Sequence, residues 1–186
     1  ATSQMPPNPS TATQNPTAPQ AITPSSDQIE AEKEFVGRLK QETARFLIRI
    51  SNPVAPTLYL LTPVSTPEAW QTWQMIKPII TSGKANLIVV PLPDSPANYS
   101  SATALIMSAS PAHAWTYRTS PTDFSTDPAA YNASITQNTA YYYIQKNEKF
   151  IETLGASTLP ILAYMSKNGQ WTITTGVPSD LSDLPL

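Results

Sequence analysis

The stretch from Leu58 to Trp70 constrains this chain more than any other. Leu58-Tyr59-Leu60-Leu61 is a short apolar run with the length and character of a strand buried on both faces. Thr62-Pro63-Val64-Ser65 then forms a loop, and Pro67 to about Ile80 reads as a helix. Its apolar stripe is Trp70, Trp73, Ile76 and Ile80, with Pro78 expected to kink it. Ser82-Gly83-Lys84 turns the chain into a second buried strand from Ala85 to Pro91. The order strand, helix, strand implies a parallel pair joined by a right-handed crossover.

The rest of the composition limits what such a unit can do. The chain has 186 residues, a formal net charge of -2 and no cysteine. That length holds one core of about 130 to 160 residues. A slightly acidic chain lacks the basic face of a nucleic-acid binder, so no nucleic acid is expected as partner. No apolar run reaches the roughly 20 residues that span a bilayer. The chain begins with Ala1 rather than methionine, and a form that has lost a signal peptide is expected.

Composition also divides the chain. Residues 1–26 carry six prolines and no charged residue, and are expected to be a disordered tether. From Asp27 the pattern changes: Asp27 with Glu30 suggests a capping box, and Ile29, Phe35, Val36, Leu39, Phe46, Leu47 and Ile50 recur at helical spacing. A linker helix over Asp27 to Ile50 follows, with Lys33, Arg38, Lys40, Arg45 and Arg49 on it and residues 27–52 as the linker unit. Residues 53–186 form the folded domain.

Within that domain, Ala102, Leu105, Ile106 and Ala109 suggest a helix, Pro111 to Tyr117 another, and Ser120 to Tyr131 an irregular stretch. Thr139 to Leu154 reads as a helix capped by Gly155. Together these make a helical insertion of about 98–155. Ile161 to Met165 and Trp171 to Thr175 flank Lys167-Asn168-Gly169, a hairpin signal.

The chain resembles the DsbG/DsbC-like thiol:disulfide interchange proteins, which have the thioredoxin fold. The resemblance runs from about Leu58 to Val177. It rests on Thr66-Pro67-Glu68-Ala69 in place of the family's C-P-Y-C, on Trp73, Pro78, Ser82-Gly83-Lys84 and Ser95-Pro96-Ala97. Further on it includes Pro111-Ala112, Trp115, Leu154-Gly155-Ala156, Pro160, Tyr164-Met165-Ser166-Lys167 and Gly176-Val177-Pro178. The fold class it implies is α/β: a thioredoxin-like fold with a helical insertion, preceded by an N-terminal helix and a Pro-rich tail.

What the resemblance implies for function turns on a loss. In this family the first cysteine sits at a helix N-terminus, which favours the thiolate. A threonine hydroxyl and an alanine methyl cannot exchange a disulfide, so no catalytic residue, enzyme activity or cofactor is expected. The family's proline matching Pro160 is cis and faces the redox motif, where the adjoining backbone pairs with an extended peptide. The resemblance therefore implies a peptide-binding groove built from Thr66, Pro67, Glu68, Ala69, Leu159 and Pro160.

The expected function is a redox-inactive, periplasmic or exported protein that binds protein segments as a chaperone-like or assembly factor. Thioredoxin-like proteins without C-x-x-C occur among envelope components of conjugative and other type IV secretion systems, a setting compatible with this layout. The alternative is a structural subunit docking through the helix 27–50 with a vestigial groove. The family's dimerisation module has no counterpart here, so its V-shaped dimer is not expected. His113 is the only histidine and is expected at the surface, and with no cysteine, no metal site is expected. Of Tyr141, Tyr142 and Tyr143, one is expected to be exposed at a partner surface.

Overall fold

The computed structural model describes residues 22–123 and 135–186. The tether expected over residues 1–26 and the irregular stretch expected over 120–131 fall largely outside them.

Among the described residues the elements run α1 (Ser26–Glu42), β1 (Phe46–Ile48), β2 (Thr57–Pro63), α2 (Pro67–Thr81) and β3 (Asn86–Leu92). They continue through α3 (Ser100–Met107), α4 (Pro111–Tyr117), α5 (Gln137–Leu154), β4 (Ile161–Met165) and β5 (Trp171–Thr175). The five strands form one sheet in the order β1-β3-β2-β4-β5. β2 and β3 are parallel, as the strand-helix-strand order requires, and the remaining pairs are antiparallel.

β2 sits at the centre because both its faces are apolar. Leu58 and Leu60 join a core with Trp73, Ile76 and Ile80 of α2, Leu105 of α3, Trp115 of α4 and Ile144 of α5. Tyr59 and Leu61 join the opposite core with Phe35 and Leu39 of α1 and Phe150 and Ile151 of α5. Full burial of each large apolar side chain contributes about 1.5–3 kcal/mol. Trp73 and Trp115 meet edge-on at 5.7 Å between ring centroids.

The N-terminal helix begins at Ser26, one residue before Asp27, and stops at Glu42, well short of Ile50. Ser25 is its N-cap, accepting a hydrogen bond from the Gln28 N–H, so Asp27 lies in the first turn rather than at the cap. At the other end Thr43 is extended, and Phe46, Leu47 and Ile48 leave the helix to pair with Val89, Ile88 and Leu87. An antiparallel edge on β3 outcompetes two more turns of helix because it buries Ile48 and satisfies backbone groups together. The Arg45 guanidinium donates to the carbonyls of Lys40 and Thr43 at the helix end.

Other expected elements stand close to their anticipated bounds. α2 runs to Thr81 through Pro78. Gly155 caps α5 with φ 67, and the β4–β5 turn closes with a Gly169 N–H to Ser166 C=O bond of 2.9 Å. Gly169 alone in that turn has positive φ, so the loop spans Lys167-Asn168-Gly169 rather than a two-residue Asn-Gly turn.

Candidate functional site

Two segments lie at the end of the sheet where β2 finishes. Leu61 of β2 faces Ile161 of β4, and continuing that register by one and two residues sets Pro160 beside Thr62 and Leu159 beside Pro63. Beyond Pro63 the chain enters Val64-Ser65-Thr66 and α2. The structure therefore brings the Thr66 to Ala69 segment and the Leu159-Pro160 segment to the same end of the sheet. The Leu159-Pro160 bond is cis.

Thr66 is the N-cap of α2: it is extended, and its Oγ1 accepts from the Ala69 N–H at 3.3 Å. Pro67 follows at the position where a missing N–H costs nothing. Pro67 and Glu68 are exposed, Thr66 is half-buried and Ala69 is buried. The Glu68 carboxylate lies in the first turn, where the helix dipole favours it. Across from them, Pro160 is buried and its carbonyl accepts from the Gly176 N–H at 2.8 Å. Among the described residues, neither the N–H nor the C=O of Leu159 is hydrogen-bonded.

The loop between β2 and α2 is held by residues that the sequence did not single out. Asp94 Oδ1 accepts from the backbone N–H groups of Val64 at 3.1 Å and Ser65 at 2.8 Å. Its Oδ2 takes the Ser65 hydroxyl, which also lies 2.9 Å from the Ser101 hydroxyl. On the other side, Arg118 Nη1 donates to the Val64 carbonyl at 2.6 Å and to the Pro121 carbonyl at 3.2 Å. The Arg118 guanidinium stands 4.0 Å from the Trp115 ring centroid and 5.0 Å from that of Trp70. Burial holds Arg118 down at about 10, against the opposing pull of Asp94.

A signal for Asp94 exists in the parallel register. Pro63 pairs with Leu92, so Val64-Ser65 and Pro93-Asp94 both leave the sheet at one end. Arg118 follows a helix far along the chain, and no local pattern marks it as buried. Other candidates lie apart from this site. His113 is exposed, and its ring centroid lies 4.6 Å from that of Tyr117 with the planes tilted by 48°. Tyr141 and Tyr142 are both exposed where one was expected, while Tyr143 is half-buried. Among the described residues no three His, Cys, Asp or Glu side chains gather as a metal site needs, and no helix is long and apolar enough to cross a membrane.

Chemically, the site offers a capped helix N-terminus, a hydroxyl, a methyl and unpaired backbone, with no sulfur. Solved structures share the architecture. The catalytic domain of Proteus mirabilis ScsC superposes with a TM-score of 0.52 at 16% identity, covering 81% of this chain and 90% of that one. The thiol-disulfide exchange protein alpha-DsbA2 from Wolbachia pipientis gives 0.53 at 15% identity, covering 83% and 93%. At these identities the likeness establishes the fold. The thiol:disulfide interchange protein DsbG of Escherichia coli (strain K12) is 29% identical over 144 residues.

The chain has a thioredoxin-like fold and is similar in sequence to DsbG.

The matched residues are 75% of this DsbG-like chain and 55% of DsbG, so the chain spans little more than half the length of the curated relative it matches. No protein-family model matches it. DsbG is by name a thiol:disulfide interchange protein, whereas the DsbG-like chain has Thr66 and Ala69 at the helix start and no cysteine anywhere in its sequence.

Proposed function

We propose that this chain is an exported, redox-inactive DsbG-like protein that binds segments of other proteins as a chaperone-like or assembly factor. The groove is formed by Thr66, Pro67, Glu68 and Ala69 on one side and Leu159 and Pro160 on the other. The observation that carries this reading is the unpaired Leu159 backbone at the end of the sheet where α2 begins. An extended peptide recognised by main-chain hydrogen bonds needs such an edge and needs no thiol. A conjugative or other type IV secretion apparatus is the setting we propose for it.

The alternative reading, docking through residues 27–50, requires a continuous basic helix. Lys33, Arg38 and Lys40 lie on α1, but Arg45 and Arg49 lie beyond its end. Arg38 is paired with Glu42 at 3.1 Å, and Arg45 is bound to backbone carbonyls. The groove is therefore favoured over the helix.

The test uses a photo-crosslinking residue at Glu68 and, as control, at the exposed Tyr142, with an unfolded client whose thiols are blocked. Capture from position 68 above the control, together with unchanged binding after Lys40→Glu, supports the groove. Equal capture at both positions, or binding abolished by Lys40→Glu, overturns it. Co-purification of the full chain from an envelope fraction tests the setting: recovery of secretion-apparatus components supports it, and their absence counts against it.

A further inference from the structure

The outer margin of the sheet at β1 carries unpaired backbone. Ala44, just before the strand, turns both its N–H and its C=O inward onto Asn147 of α5. Strand backbone groups alternate sides, so those of Phe46 and Ile48 face β3 and those of Arg45 and Leu47 face away from the sheet. Among the described residues, no hydrogen bond reaches the backbone N–H or C=O of Arg45 or Leu47. The Leu47 side chain is 40% exposed, whereas Ile48 beside it is buried.

An open groove of about 480 Å³ lies along this margin. Phe46 and Leu47 of β1, Ile106 of α3 and Tyr143 of α5 give it an apolar lining, and Arg45 and Lys146 line it as well. No acidic residue lines it, and among the described residues neither cation is ion-paired. Arg45 is fixed through Nη1 alone, which donates to the carbonyls of Lys40 and Thr43. Its Nε and Nη2 have no partner among the described residues, and that edge of a guanidinium takes a carboxylate through two parallel hydrogen bonds. Arg49 is exposed just past the end of β1, in the same alternation as Arg45 and Leu47.

Short length and charge shield an edge from indiscriminate pairing. Here the charge is of one sign, so it also selects. A second copy of β1 laid antiparallel about Leu47 sets Arg45 against Arg49 and is repelled. A strand with an acidic residue, an apolar one two places on and another acidic one two places further matches Arg45, Leu47 and Arg49 in either direction, while its backbone pairs with the outward groups. We infer that the β1 edge is a docking site for an extended acidic segment of another protein, with the pattern acidic-x-apolar-x-acidic. β3 lies between β1 and the strand that leads to Thr66, so this edge and the Thr66 to Pro160 groove bind independently.

The test titrates the full chain into a labelled peptide, Ser-Glu-Thr-Ile-Thr-Glu-Ser, and into the same peptide with both Glu replaced by Lys, followed by fluorescence anisotropy. The acidic peptide is expected to bind and the basic one not to. Arg45→Glu with Arg49→Glu is expected to weaken the acidic peptide at least about tenfold and to admit the basic one. Circular dichroism of that double variant checks that the fold is kept. A copy of the acidic peptide methylated at its backbone nitrogens keeps the charges but loses the donors, and is expected to bind at least about tenfold more weakly. Glu68→Gln is expected to change none of this. No binding of the acidic peptide up to about 1 mM chain overturns the proposal. So does a methylated peptide that binds as well as its parent, a preference that charge reversal does not swap, or acidic-peptide binding altered by Glu68→Gln, which places the peptide in the other groove. Binding to anionic phosphatidylglycerol vesicles but not to the peptide assigns the cations to a membrane surface and overturns it as well.

Discussion

The Asn147 carboxamide stands where Pro91 leaves a strand ladder incomplete. The β1–β3 register, continued from Phe46 opposite Val89, sets Ala44 opposite Pro91, which has no N–H to donate. Asn147, fully buried on α5, fills the gap: its Oδ1 accepts from the Ala44 N–H at 2.7 Å, and its Nδ2 donates to the carbonyls of Ala44 and Pro91, each at 2.9 Å. One side chain thus joins β1, β3 and α5. Asn147→Ala is expected to cost about 3 kcal/mol by leaving buried backbone groups unsatisfied. The checking measurement is a urea unfolding curve with a lower midpoint and unchanged slope.

The β2–α2 loop is expected to depend on its two charged anchors. Asp94→Ala removes the acceptor for the Val64 and Ser65 N–H groups, and Arg118→Met removes the donor to the Val64 carbonyl. Each is expected to destabilise the protein by about 2–4 kcal/mol. Asp94→Ala should also speed hydrogen exchange at the Val64 and Ser65 amides while that of the Leu39 and Thr43 amides on the far side of the sheet is unchanged.

Thr66 has a structural duty separate from any ligand. Thr66→Ala is expected to cost about 1 kcal/mol through loss of the N-cap, whereas Thr66→Ser keeps the hydroxyl and should be near neutral. Thermal or urea midpoints of the two variants distinguish capping from loss of the methyl.

Tyr99 makes stability depend on alkaline pH. Its phenol is pushed from 10.0 up to about 12, first by burial, then by the 2.8 Å hydrogen bond it donates to Glu148 and by the nearby Tyr141 and Glu152. A raised folded-state value means the folded chain holds its proton longer than the unfolded one. The contribution is complete below about pH 10 and is lost as pH rises through about 12. Between those values the unfolding midpoint of the natural chain should fall more steeply than that of Tyr99→Phe.

Much of this architecture is legible in the sequence because its signals are local. The doubly apolar Leu58 to Leu61 run, the stripe from Trp70 to Ile80 and the Gly155 cap each act within a few residues. The end of α1 is not, because Phe46, Leu47 and Ile48 fit a helical stripe as well as a strand, and the deciding partner is β3, some 40 residues away. The site divides the same way. Thr66 to Ala69 and Pro160 are found through resemblance, and Asp94 could have been found from the parallel register. Arg118 could not, since its burial depends on aromatic rings of two helices and on a carbonyl 54 positions earlier.

The central claim is that the Thr66 to Ala69 segment is a thioredoxin-type helix start that lacks only its sulfur. The most direct measurement is the double substitution Thr66→Cys with Ala69→Cys, followed under mild oxidant and assayed for disulfide exchange on a reducible substrate. The account predicts a reducible disulfide, because bridging needs Cα atoms about 4.4–6.8 Å apart and a helix start supplies that spacing. It also predicts exchange activity in the double variant and none in the natural chain. A double variant that folds but does not close the bridge, or a natural chain as active as the variant, contradicts it.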